Sequence, residues 1–367
     1  MDKGYVAFIL ESVYGHIVPT LGIAAELVRR GYRVDYAVKK QFEARIASIG
    51  AQARVYEPLE NKFKIFREME KTGSTGASAV DSELQVLWKK LRQEETDDTL
   101  AQLKRLYESD QPDLIVYDCM SPAGRVLAGE LDVAAAEHSP MVIALDQSGW
   151  TYDEKLVLVS IPKFFQRGAD ELDNRFQFIG FIQNDRSKFF TPWKPQNPER
   201  GTILVVATTG LLPQIDFFKT AVAAFADSAW QLVLSIGDNI NPTSLGPLPP
   251  NCEINRSGST FEILKSCCLA MGQGGQGSSL EALYHGVPQI LIPPSPIHEE
   301  CARRVAELGL GVHLGASQVT AEILRETAAS ILADTGTHGR LQSVAKTMQE
   351  NNGAALAADL LASRLSA

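Results

Sequence analysis

The feature that most restricts this chain is a run apolar at every position, followed by an amphipathic helix and a second apolar run. Tyr5–Leu10 (YVAFIL) shows no polar alternation, so a strand there is buried on both faces. Thr20–Gly31 (TLGIAAELVRRG) has apolar residues at helical spacing and stops at a glycine. Tyr32–Val38 (YRVDYAV) is the next strand. Two strands joined through a helix in this way run parallel. Asp113–Asp118 (DLIVYD) and Met141–Asp146 (MVIALD) read as further strands of the same set.

The rhythm breaks at Asn184–Arg200, a polar stretch with three prolines, which reads as a linker. It resumes with strands at Thr202–Gly210, Gln231–Gly237, Cys268–Gln273, Pro288–Pro294 and Val312–Gly315. Helical stretches lie at Asp216–Ala229 and Thr320–Ala367. The expectation is an α/β protein with two Rossmann-like domains facing a cleft, residues 1–183 and 201–367 about a linker at 184–200. A chain of 367 residues is long for one core and suits two.

Bulk properties exclude some partners. A net charge of −9 argues against nucleic acid or an anionic membrane as the main partner. No apolar run has the length of a membrane span, and the N-terminus lacks the pattern of a secretory signal. Five cysteines without CxxC spacing read as reduced thiols of a cytoplasmic protein. The mixed-charge helical stretch between Pro58 and Asp110 reads as a solvated face.

Three places can carry chemistry. His16 lies in a Gly-His turn after the first strand, and Asp118 ends a later one. Strand carboxyl ends face the ligand crevice in open α/β sheets, so the two can pair as a base and its supporting carboxylate. Spacing alone leaves a packing histidine equally open. The third place is Gly272–Leu283 (GQGGQGSSLEAL). Its small residues let backbone amides approach a phosphate at the start of a helix, with Glu281 one turn in, near ribose hydroxyls. Tight strand–helix packing explains such a loop as well. Cys119 and His285 read as packing residues.

Together these stretches resemble the GT-B glycosyltransferases, and most closely the macrolide-type branch of the UDP-glycosyltransferase family. Gly15–Val38, Ile161–Gly180, Ser279–Pro294 and Ala302–Leu314 are similar to its segments. The resemblance implies metal-independent, inverting transfer of a sugar from a UDP- or TDP-sugar to a small natural-product-like acceptor, with no cofactor required. It also implies a last helix that packs on the N-terminal domain. His16 matches the catalytic base and Asp118 its carboxylate. Gly274, Gly275, Ser278 and Ser279, with Gly277 among them, match the diphosphate loop, and Glu281 the ribose-binding glutamate.

Several positions depart from the family pattern. Gln273 replaces a histidine that contacts the diphosphate. Ser257–Thr260 replaces the stretch that stacks on the base. The acidic-Gln pair that holds the sugar falls on Ile297–His298, with Glu299 and Glu300 just beyond. Of the donor-domain strand-end hydroxyls, only the one on Thr209 is kept. The helical roof of the acceptor pocket is shortened after Trp150, which leaves that side open or covered by a second copy or a partner protein. Two alternatives follow: a GT-B-like protein that has lost transfer and serves as a binding partner, or an enzyme of cyclisation, elimination or isomerisation that uses the His16/Asp118 pair without a nucleotide.

Overall fold

The computed structural model describes residues 3–59, 82–143, 152, 154–183, 193–207, 215–237, 240–256, 259–294 and 296–365. The chain divides into two compact units. The first comprises residues 1–74, 78–185 and 351–367, and the second comprises 75–77 and 186–350.

Among the described residues the first unit has seven strands: β1 (Tyr5–Ile9), β2 (Arg33–Val38), β3 (Gln52–Val55), β4 (Leu114–Asp118), β5 (Ala134–Ser139), β6 (Val157–Val159) and β7 (Phe176–Phe178). They form one parallel sheet in the order β3-β2-β1-β4-β5-β6-β7. Its helices are α1 (Tyr14–Ile17), α2 (Leu21–Arg29), α3 (Glu43–Ser48), α4 (Ser82–Tyr107) and α5 (Pro122–Leu131).

The period of two along each strand sorts its side chains into two cores. Val6, Phe8, Leu114, Val116 and Ala136 face one core, which includes Ile23, Ala24 and Leu27 of α2. Tyr5, Ala7, Ile9, Ile115 and Tyr117 face the other, with Leu103 and Tyr107 of α4 and Leu127 of α5. Burial on both faces is why β1 and β4 read as unbroken apolar runs. Asp35, buried within the sheet, accepts from Tyr5, from Tyr107 Oη at 3.0 Å and from Arg54. This ties β1, β2, β3 and α4 together.

The second unit begins its sheet with β8 (Thr202–Val206), β9 (Gln231–Ser235) and β10 (Cys252–Asn255), and continues with β11 (Cys267–Gly272), β12 (Gln289–Leu291) and β13 (Gly311–His313). These are again all parallel, in the order β10-β9-β8-β11-β12-β13. Its helices are α6 (Ile215–Phe225), α7 (Thr260–Leu264), α8 (Gln276–Tyr284), α9 (Pro296–Glu307), α10 (Ala321–Ala333) and α11 (Thr335–Gln349).

The last helix, α12 (Gly353–Leu365), belongs to the first unit. Ala357, Ala358 and Leu361 join the core under α2, and Arg30 pairs with Asp359. Asn351 Nδ2 donates to Ile179 O at 2.8 Å just before it. Gly353 allows the close approach, because a Cβ there would lie 1.8 Å from Ile179 O. The expectation that the C-terminal helix packs on the N-terminal domain holds.

One expected strand is misplaced. The strand read at Met141–Asp146 is Ala134–Ser139 instead. Residues 141–143 form no strand; Gln166 brackets Ile143, accepting from its N–H at 2.7 Å and donating to its carbonyl at 3.0 Å. Residues 144–146 lie outside the described residues, as do 60–81 of the long helical stretch and much of the linker. The cause of the error is composition. Ala134–Ser139 ends in Glu-His-Ser, which masks a strand that is nonetheless buried from its second residue onward.

Candidate functional site

In the first unit the polar groups collect at the carboxyl ends of β1, β4 and β5. After β1, Val13 is extended and starts the single turn α1, which ends in His16 and Ile17. Pro19 then lies in the 3-10 turn that leads into α2. Ile17 is buried in the core and fixes the turn, while Tyr14 and Gly15 stay exposed. His16 Nδ1 lies 2.6 Å from Asp118 Oδ2. The His16 side chain is 13% exposed and that of Asp118 fully buried.

Asp118 is locked from several directions. Its Oδ1 accepts from Met120 N at 2.6 Å and from the Cys119 thiol at 3.7 Å, and its carbonyl accepts from Ser121 N at 2.8 Å. Burial is the largest influence on its carboxyl group and pushes the pKa up. The His16 charge and hydrogen bond, His138 and the Met120 amide outweigh burial together, and the net shift is downward. Asp118 is therefore ionised at neutral pH. With Nδ1 of His16 committed to it as donor, Nε2 is the nitrogen with the basic lone pair. Burial drives the Cys119 thiol well above its ordinary pKa, and the Asp118 charge adds to this, so it is an inert packing group.

In the second unit β11 ends at Gly272 and α8 begins at Gln276. Gly275 caps α8 without a side-chain bond, so no side chain covers the first amides of the helix from the cap. Gly274 has φ +80°, and a Cβ there would lie 2.7 Å from His298 O. Only glycine meets both demands. Beside Gly277 there is open space: a Cβ would meet nothing within 4 Å. Ser278 Oγ donates to Gly275 O at 3.1 Å and tightens the first turn. Glu281, largely buried one turn further on, accepts from Thr260 Oγ1 at 2.9 Å.

The other residues named from the sequence divide. Gln273 is buried at the end of β11. Ser279 is fully buried in the interior of the unit. Glu299 is engaged on α9, accepting from Arg303 Nε at 2.7 Å and lying 3.2 Å from His313 Nε2. His298 is half-buried, and burial lowers the pKa of its imidazole. Thr209 lies outside the described residues, as do Ser257 and Gly258. Sequence reasoning missed two polar groups, His138 and Ser160, because strand β5 was misplaced. The tripeptide Glu137-His138-Ser139 after three alanines was the available signal. Thr260 was seen only as part of a replaced motif.

The chain resembles known proteins along almost its whole length. Residues 220–363 match the family described as Erythromycin biosynthesis protein CIII-like, C-terminal domain. Over 98% of its length the chain is 30% identical to the NDP-glycosyltransferase YjiC of Bacillus subtilis (strain 168), covering 96% of that protein. The chain belongs to the macrolide-type glycosyltransferases. It is also 30% identical to the demethyllactenocin mycarosyltransferase of Streptomyces fradiae, over 99% of this chain and 87% of that one. Among solved structures it is similar to CalG4, the calicheamicin glycosyltransferase, with a TM-score of 0.81, 26% identity and coverage of 100% and 99%. Two parallel-sheet α/β units and this likeness establish the GT-B fold. As a member of this family the protein is a glycosyltransferase, and the alternatives without sugar transfer are not favoured. Among the described residues no helix is long and apolar enough to cross a membrane.

Proposed function

We propose that this protein transfers a sugar from a nucleoside-diphosphate donor to a hydroxyl of a small, natural-product-like acceptor, with inversion and without a metal ion. Residues 1–183 supply the acceptor side and residues 201–367 the donor side. His16 Nε2 takes the acceptor proton as the acceptor oxygen forms its bond to the anomeric carbon. The bond from that carbon to the diphosphate oxygen breaks, and its electron pair leaves on the diphosphate. Asp118 stabilises the imidazolium that results.

Donor binding falls to the loop. The Gly274–Ser278 amides and the positive end of α8 suit a diphosphate, and Glu281 suits ribose hydroxyls. Gln273 can donate a hydrogen bond in place of a histidine but adds no charge. The engagement of Glu299 with Arg303 and His313 favours His298 over Glu299 for contact with the sugar.

The observation that carries this reading is the 2.6 Å contact between His16 and a buried, ionised Asp118 at strand carboxyl ends, in a chain of this family. The test incubates the protein with UDP- and TDP-sugars and a panel of macrolide and phenolic acceptors, with mass spectrometry and anomeric NMR of the products. Acceptors heavier by one sugar, with inverted configuration and undiminished yield in a chelator, are expected. A retained anomeric configuration would sink the single-displacement mechanism, and yield lost in chelator would sink metal independence.

A further inference from the structure

The polar row at the strand ends does not stop at the dyad. Asp118 and His138 are register partners in β4 and β5. Asp118 continues the face of Leu114 and Val116, and His138 that of Ala136, so both cap the same core. β1 and β5 are the two neighbours of β4. His16, from the segment after β1, meets Asp118 from one flank, and His138 stands on the other.

The His138 ring is fully buried. Its Nε2 lies 3.0 Å from Ser160 Oγ, and its Nδ1 has no hydrogen-bond partner among the described residues. The Ser160 hydroxyl also lies 3.4 Å from Ser139 O, so it is held between the β5 backbone and the ring. A buried nitrogen left unsatisfied costs stability that an apolar side chain of similar size would avoid. Such local costs concentrate at functional sites.

The titratable groups around this ring are few. β4 brings Asp118 and Cys119, α1 brings His16, and β5 itself carries Glu137 on its opposite face. β6 offers Leu158 and Ser160 follows it, while α12 brings Ala357, Ala358 and Leu361 to this core. Burial, the largest influence, pulls the imidazole down to about 4 against the pull of Asp118, so the ring stays neutral at neutral pH.

We propose that His138 is a positioning residue for the dyad: a buried, anchored flank that keeps water from Asp118 on the side away from His16. The role rests on the base reading of His16. Where water is excluded, the carboxylate acts on His16 through a lower effective dielectric and raises its basicity more.

The experiment is the pH profile of kcat/KM for wild type, His138→Ala, His138→Gln and Ser160→Ala, with the Kd for UDP measured alongside. Alanine opens the Asp118 flank to water, and the acid limb set by His16 moves to lower pH by about half a unit, with kcat lower by about five- to tenfold. The Kd for UDP stays at the wild-type value. Glutamine keeps most of the volume and a donor for Ser160, and recovers the limb position. Ser160→Ala, which removes the anchor but keeps the ring, shifts the limb in the same direction by less; it serves if His138→Ala does not fold. A limb unmoved in both His138→Ala and Ser160→Ala overturns the assignment, as does a His138→Gln profile as displaced as that of His138→Ala. A wild type without an acid limb overturns the dyad itself, and this role with it.

Discussion

The ends of β4 and β11 solve the same problem with opposite materials. Each is the carboxyl end of a buried parallel strand, the place where open α/β sheets bind ligands. At β4 polar side chains gather: His16, Asp118 and, behind them, His138 and Ser160. At β11 the backbone is left bare instead, because Gly274 and Gly275 carry no side chains and Gly275 leaves the start of α8 without a side-chain cap. Side chains can move protons, and backbone amides can hold a charge but cannot titrate. Under the proposed function, substitutions at β4 are expected to change turnover and substitutions at β11 to change binding.

The largest effect tests that split most directly. His16→Ala is expected to lower kcat by about 10²–10⁴ while calorimetry finds the wild-type Kd for UDP. Equal losses in kcat and in UDP affinity would break the division between the two regions.

Gly274→Ala is next. It demands φ +80° from a residue with a Cβ and drives that Cβ to 2.7 Å from His298 O. A cost on the order of 1–3 kcal/mol in denaturant unfolding is expected, with weakened UDP binding and little change in kcat at saturating donor. A variant with wild-type stability and affinity would show that the loop conformation is not what binds.

Thr260→Val sharpens the donor side. It keeps the volume but removes the 2.9 Å hydrogen bond to Glu281. UDP affinity is expected to fall by roughly two- to tenfold, the worth of one such bond, while pyrophosphate, which has no ribose, binds as before. Equal losses for both ligands would move Glu281 away from the ribose.

The smallest effect is on stability against pH. His138 has a depressed folded pKa of about 4, so from about 6.5 downward the unfolded chain takes up a proton that the folded chain refuses. Its share of stability is lost as pH falls from about 6.5 to about 4. Asp118 also has a lowered pKa; its contribution is complete above the usual carboxylate range near 4 and is lost below it. Urea midpoints across pH 3–8, roughly the span of both windows, should therefore show a component of slope between about 6.5 and about 4 that His138→Gln removes and that Asp118→Asn, which takes away the pull of Asp118 on the ring, does not.

Much of this was legible in the chain. His16 and Asp118 were named from their strand-end positions, and they meet at 2.6 Å. The loop at Gly272–Ser278 was read as a strand-to-helix turn and is one. β5 was not legible, since burial by neighbouring strands and helices, not its own hydrophobicity, makes Ala134–Ser139 a strand. His138 and Ser160 were hidden with it.

The sequence by itself determined the parallel α/β architecture, because runs buried on both faces and joined by amphipathic helices have few other ways to satisfy their backbones. It also marked the residue types at the strand ends. Only the tertiary structure decided which of them meet. Contacts such as His138 with Ser160 or Thr260 with Glu281 join residues about twenty apart, and His16 with Asp118 joins residues 102 apart. Their side chains come together through strand order and register, which are properties of the assembled sheet. Ser279 and Glu299 make the same point in reverse: their types suit a donor site, and packing buries one and engages the other with Arg303 and His313.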